Sequence, residues 1–247
     1  MEFYLSTIDP NAHITARKYG LGLEVAEYCT AWNMDEQFSE VDPQVRKKIA
    51  ETHKLVLHGP FNELFPCAID PMVREVARYR YRQTIALAKT YGINRIVIHG
   101  GYNPKLYYPI WYTEQSVQFW KEFIREVPED VTILLENVME EEIPMFLTIL
   151  QQVDDKRLKM CLDVGHVNAY SVHTVQQWLE SCAPYLSHFH IHNNRGDFDT
   201  HNDLFDGTMD MVQLLKSAGE LCPDATFTLE LMDGEPSVLW LREKGFL

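Results

Sequence analysis

Short runs rich in apolar and β-branched residues recur along the chain, and each is followed by a stretch in which apolar residues return at helical spacing. The strand-like runs are Glu2–Thr7, Leu23–Cys29, Lys54–His58, Arg95–His99, Thr132–Asn137, Lys159–Asp163, Ser187–His192 and Thr226–Leu231. Amphipathic segments between them include Val41–His53, Pro71–Tyr91, Thr113–Glu126, Glu141–Gln152, Thr174–Cys182 and Met209–Ala218. Several strand runs (KLVLHG, RIVIHG, TILLEN) are almost unbroken apolar sequence, the pattern of a parallel sheet covered by helices. Strict alternation of the two periodicities predicts βα units. Eight such units in 247 residues predict an α/β fold, a single (β/α)8 TIM barrel that occupies residues 1–247 as one domain. The rival, a doubly wound open sheet, lacks its usual nucleotide signatures, because no GxGxxG follows a strand and no phosphate-binding P-loop occurs.

The polar residues of these runs gather at one end. The third run stops at His58, the fourth at His99, the fifth at Glu136 and the sixth at Asp163, with His166 three residues on. The seventh carries His190 and His192, followed in its loop by Asp199 and His201, and the eighth reaches Glu230. In a parallel barrel all C-terminal strand ends meet at one rim, where barrel enzymes place their chemistry. Carboxylates brought together in a small volume repel, and burying them unpaired costs several kcal/mol each. Divalent cations supply the compensating charge, and a mixed His/Asp/Glu set suits Zn, Mn or Co, with Mg on a carboxylate-rich subset. Within strand seven, His188, His190 and His192 share a face: His188 reads as a deeper hydrogen-bonding residue, His192 as a substrate contact nearer the rim. Glu24, inside strand two, reads as an acid paired with a neighbouring cation.

Composition narrows the function classes. Apolar residues make up 46% and charged residues 23%, enough to build a core. The net charge of −14 argues against broad binding to nucleic acid or to an anionic membrane. No apolar run is long enough for a membrane span, and the opening MEFYLSTIDP lacks the features of a signal peptide. Five cysteines, odd in number and without a CxxC, fit a reducing, cytoplasmic setting. The oligomeric state has no signature in the sequence.

The ordered pieces HGP, HGG, ENV, LDVGH, HIHNN, DTH and LEL resemble the xylose-isomerase-like barrel superfamily, which holds sugar and sugar-phosphate isomerases and epimerases as well as endonuclease IV. The resemblance implies a metal held by Glu136, Asp163, His190 and Glu230, with His58, His99, His166, Asp199 and His201 as further ligands in the endonuclease branch, for one to three ions in all. It implies a metal-dependent isomerase or epimerase of a carbohydrate, in which Glu136 and Glu230, on opposite sides of the barrel mouth, move a proton through an enediolate. The alternative is a metal-dependent phosphoester hydrolase of the endonuclease IV type, in which Phe61 and Leu64 are the available wedges. A non-catalytic, cation-binding barrel is a third class. His192, Asn193, Arg195, Tyr102 and Lys105 are the expected substrate contacts, and the aromatic loop after strand four (Tyr102, Tyr107, Tyr108, Trp111, Tyr112) is the expected cover over the site. Two segments depart from the family pattern: Asn193 stands where an Asp is usual, and Phe205 replaces a Gly in the LFDG turn.

Overall fold

A computed structural model describes every residue from Met1 to Leu247. Eight parallel strands close into a barrel in the sequential order β1 to β8, with β1 paired to β8. They are β1 (Glu2–Ser6), β2 (Gly22–Val25), β3 (Leu55–His58), β4 (Arg95–His99), β5 (Thr132–Glu136), β6 (Leu158–Asp163), β7 (Leu186–Ile191) and β8 (Thr226–Leu229). The expected (β/α)8 architecture is therefore the observed one. The predicted second strand runs too far: after Val25 the chain leaves the ladder, and the Ala26 N–H donates to the Thr7 hydroxyl at 2.8 Å instead.

Helices wrap the barrel as α1 (Ala12–Tyr19), α2 (Ala31–Met34), α3 (Phe38–Ile49), α4 (Pro71–Tyr91), α5 (Pro109–Phe123), α6 (Ile143–Val153), α7 (Val164–Tyr170), α8 (Val175–Cys182), α9 (Met211–Leu221) and α10 (Glu235–Glu243). Local chemistry sets several boundaries. Asp70 caps α4 by accepting from the Met72 N–H at 2.8 Å, Pro71 fills the first turn, and Gly92 ends the helix in the left-handed region at φ +68°. Thr174 and Gln177 form a reciprocal capping box on α8. Helix α5 starts earlier than its periodicity suggests, because Pro109 is a first-turn residue.

The main core lies between the barrel and its helices, where Trp120, Trp178, Phe123, Phe146 and Tyr81 are fully enclosed. A smaller cluster of Tyr4, Val56, Val97, Leu134 and Cys161 fills the barrel interior. Above that plug the inward-facing residues turn polar, and the site begins there. No helix is long and apolar enough to cross a membrane.

Candidate metal centre and active site

Each strand end delivers its acid or imidazole for a readable reason. Glu136 and His99 sit side by side as the last residues of β5 and β4, in register with each other. Asp163 ends β6 and caps α7, with Oδ1 accepting from the His166 N–H at 2.6 Å. That cap turns Oδ2 toward His192 and His190, 3.2 and 3.9 Å away, and sets His166 one turn above it. Asn137 locks the β5–β6 rim, donating to the Asp163 carbonyl at 3.0 Å and accepting from the Asp163 N–H at 2.9 Å.

The side chains converge. His190 Nδ1 lies 3.2 Å from Glu136 Oε1, 3.4 Å from Glu230 Oε1 and 3.9 Å from Asp163 Oδ2. Glu136 Oε2 faces His99 Nε2 at 3.2 Å and His58 Nε2 at 3.4 Å. Asp199 Oδ2 faces His201 Nε2 at 3.0 Å and His166 Nε2 at 3.2 Å. All nine residues of the implied ligand set therefore come to one region. Glu136 and Glu230 do not stand across the mouth from each other, as expected from their strands. Their long side chains lean inward and meet over His190, so that the donor atoms of Glu136, Asp163, His190 and Glu230 all lie within 4.8 Å of one another.

Ring orientation shows that these donors suit a cation. His58 Nδ1 donates to the Gly59 carbonyl (2.9 Å), His166 Nδ1 to the Asn137 carbonyl (2.8 Å) and His201 Nδ1 to the Glu230 carbonyl (2.7 Å). A carbonyl can only accept, so each Nδ1 carries a proton, and each Nε2 is turned toward a carboxylate. Two lone-pair atoms face each other there, and something positive must lie between them. The choice is between a proton and a metal ion. Both Glu136 oxygens and both His190 nitrogens are buried without a hydrogen-bond partner, an expensive arrangement unless a cation completes it. Zinc bonds of about 2.0–2.2 Å place the corners of a tetrahedron about 3.3–3.6 Å apart, close to the spacing around His190.

The electrostatics agree with this reading. Burial by itself would raise Glu136, but the facing imidazoles, His99 and His190 foremost, outweigh it and hold the carboxyl well below its ordinary value, while burial keeps His99 itself below the usual imidazole range. Burial opposes protonation of His201, yet the hydrogen bond to Asp199 pushes that imidazole up to about 9.

Above the donors opens a cavity of about 790 Å³. Glu136, Glu230, His58, His99, His166, Asp199 and His201 line it, with Phe61, Phe65, Tyr102, Met139, Tyr170 and Met232 as apolar walls. No Lys or Arg lines it. Phe61 stacks on His99 with ring centroids 4.2 Å apart, which makes it a wall of the site rather than a protruding wedge, and Leu64 is buried. Of the expected substrate contacts, only Tyr102 borders the cavity. Lys105 is exposed outside it, and Arg195 is exposed and paired with Asp206 at 2.5 Å. Asn193 is buried as a clamp of the β7–α9 loop, where its amide donates to the Leu204 and Met209 carbonyls at 3.0 and 3.1 Å. His192 does not reach the rim: it is fully buried under His201, with Nε2 3.2 Å from Asp163 Oδ2. The aromatic loop is divided, since Tyr102 faces the cavity, Tyr112 is buried on Glu140, and Tyr108 is 85% exposed.

Gly165 makes room for His192. A Cβ at that position would come within 1.9 Å of the His192 ring. The Gly165→Ala variant is expected to lose about 1–3 kcal/mol of stability through overpacking, measured by urea denaturation, and to shift His192 away from Asp163.

A family model for the xylose isomerase-like TIM barrel matches residues 16–244. The chain belongs to that family. Uncharacterized protein MJ1311 of Methanocaldococcus jannaschii is 27% identical over 188 residues, a match covering 72% of this chain and 64% of that protein, a little under two thirds of its length. Among solved structures, a D-tagatose 3-epimerase-like protein superposes with a TM-score of 0.80 at 22% identity, covering 99% of this chain and 97% of that one. The TTHB071 protein of Thermus thermophilus, soaked with zinc chloride, superposes with a TM-score of 0.80 at 23% identity, covering 100% and 98%. These structures share the xylose isomerase-like barrel with the present chain.

One residue in this family member's donor region has only a local role in the sequence reading. Glu24 is fully buried inside the barrel, 3.0 Å from His190 Nε2 and 3.1 Å from His188 Nε2, so its partners are imidazoles of the site itself. His188 lies below His190 as a hydrogen-bonding residue, as its position in the strand suggests.

Proposed function

We propose that the protein is a divalent-cation-dependent isomerase or epimerase acting on a small, uncharged carbohydrate. The observation that carries this reading is a cavity of about 790 Å³ with acids and imidazoles on its floor, apolar walls and no Lys or Arg in its lining. That size suits a small ligand. A phosphate group or a nucleic-acid backbone is normally met by Arg or Lys, and here none is offered. A monosaccharide instead presents hydroxyls to the polar floor and C–H faces to Phe61, Phe65, Tyr102 and Tyr170. The barrel shared with a D-tagatose 3-epimerase-like protein supports a sugar as substrate, and that shared with a zinc-soaked Thermus protein supports a metal.

Glu136, Asp163, His190 and Glu230 would hold the cation, which supplies Lewis-acid polarisation of a substrate carbonyl. Glu136 and Glu230 are the carboxylates placed to take a proton from the carbon beside that carbonyl and to return one. The apolar walls keep bulk water off the reacting carbon, and the proton that a carboxylate returns to that carbon is one the carboxylate has exchanged with solvent. Asp163 and His190 have their geometry fixed by α7 and by β7, and they hold position rather than move protons.

A second reading, phosphoester hydrolysis, is favoured by the two further donor groups, His58 and His99 on Glu136 and His166 and His201 on Asp199, which would admit more than one cation. The deciding experiment incubates zinc-, manganese- or cobalt-loaded protein with neutral ketoses in D2O and reads deuterium at the carbon next to the carbonyl. Deuterium entry that a chelator stops is expected. No entry into any ketose, together with chelator-sensitive cleavage of an abasic-site duplex, would replace the isomerase reading with the hydrolase.

A further inference from the structure

A buried polar chain runs beneath the cation cluster. Glu24 Oε2 accepts from the Thr228 hydroxyl at 2.6 Å and from His188 Nε2 at 3.1 Å. His188 Nδ1 in turn accepts from the Thr226 hydroxyl at 2.6 Å, and that hydroxyl receives an Arg95 guanidinium N–H at 2.8 Å. A carboxylate can only accept, so His188 Nε2 carries the ring proton that Glu24 receives, and Nδ1 is left to accept from Thr226. Two donors thus fix one Glu24 oxygen. The other, Oε1, makes no hydrogen bond and faces His190 Nε2 at 3.0 Å.

We propose that Glu24 is a positioning residue that holds the His190 proton on Nε2, presents Nδ1 to the cation and thereby sets the affinity of the Glu136–Asp163–His190–Glu230 cluster. This role rests on the cation-centre reading above and adds to it. An imidazole can offer a metal only one nitrogen, and which one is decided by the partner of the other. A carboxylate facing Nε2 favours the proton there. Glu136 and Glu230 face the opposite nitrogen, Nδ1, at 3.2 and 3.4 Å, so once a cation takes Nδ1 the Glu24 carboxylate is the acceptor left for the ring proton. The Glu24 carboxylate has no Lys or Arg partner; its ion pairs are with His188 and His190 alone, so its charge is directed at these rings. The position carries no sign of this role in sequence, because Glu24 and His190 meet across the barrel from strands far apart in the chain.

The test measures Zn2+ affinity by competition with a chromogenic chelator and reads the His190 tautomer by 15N NMR of the imidazoles, in wild type and in Glu24→Gln. The expected result is zinc affinity lowered about 10–100-fold, the usual cost of losing such a partner, with His190 divided between both tautomers. Should Glu24→Gln fail to fold, Thr228→Val keeps the carboxylate and removes its 2.6 Å anchor; weaker zinc binding in the same direction is expected. Unchanged affinity with His190 still fully protonated on Nε2 overturns the role of Glu24 while leaving the cation centre standing. A wild-type chain that takes up no zinc overturns the centre and this role together.

Discussion

Glu136→Gln is expected to lower the rate of deuterium exchange into a neutral ketose by at least about a thousandfold, the scale set by removing a general base that is also a metal ligand. The Glu136 carboxylate meets four imidazoles of the site: one oxygen lies 3.2 Å from His190 and 3.5 Å from His166, the other 3.2 Å from His99 and 3.4 Å from His58. The amide matches the carboxylate in shape but has no charge to stabilise a cation. It also turns an N–H donor toward one pair of imidazoles. Zinc content of the purified variant should fall with the rate. A variant that kept its zinc and its exchange rate would remove Glu136 from both roles.

Removing the metal is the second large effect. Binding at a thousandfold excess over Kd stabilises a folded chain by about 4 kcal/mol. At this chain length each kcal/mol is worth about 2–4 °C, so a chelator should lower Tm by roughly 10 °C, and added zinc should restore it. The loss depends on pH with a definite sign. Asp199 raises His201 to about 9, so the proton on that ring stabilises the metal-free fold fully below about pH 6.5, and this contribution disappears as the pH rises through about 9. Metal binding displaces such protons and strengthens as pH rises. The chelator-induced drop in Tm, followed by scanning fluorimetry, should therefore be larger at about pH 9 than at about pH 6.5. Equal drops at both values would mean that these imidazoles bear no protons that the metal replaces.

How far the sequence reveals the site depends on how local each signal is. His58, His99, Glu136, Asp163, His190 and Glu230 end or follow successive strands, and the barrel rule alone brings such ends together. Positions decided by a loop's path are not legible. Asn193 and Arg195 follow β7 directly, yet the loop doubles back through an Asn193–Asn202 bridge and turns both from the cavity. Strand periodicity places His192 one layer too high, because Gly165 lets its ring sink against α7. Glu24 reads as the partner of a neighbouring charge when its partners lie across the barrel. The carbonyls of Gly59, Asn137 and Glu230, which fix three ring tautomers, have no side-chain signature at all. Strand and helix ends shift where a single hydrogen bond or proline takes over from periodicity, as at Ala26 and Pro109.

The most direct measurement is anomalous diffraction at the zinc edge from crystals equilibrated with zinc. A peak is expected about 2 Å from His190 Nδ1 and from oxygens of Glu136, Asp163 and Glu230. A map with no peak there, and with the four side chains joined by ordinary proton-mediated hydrogen bonds at saturating zinc, would contradict the cation centre.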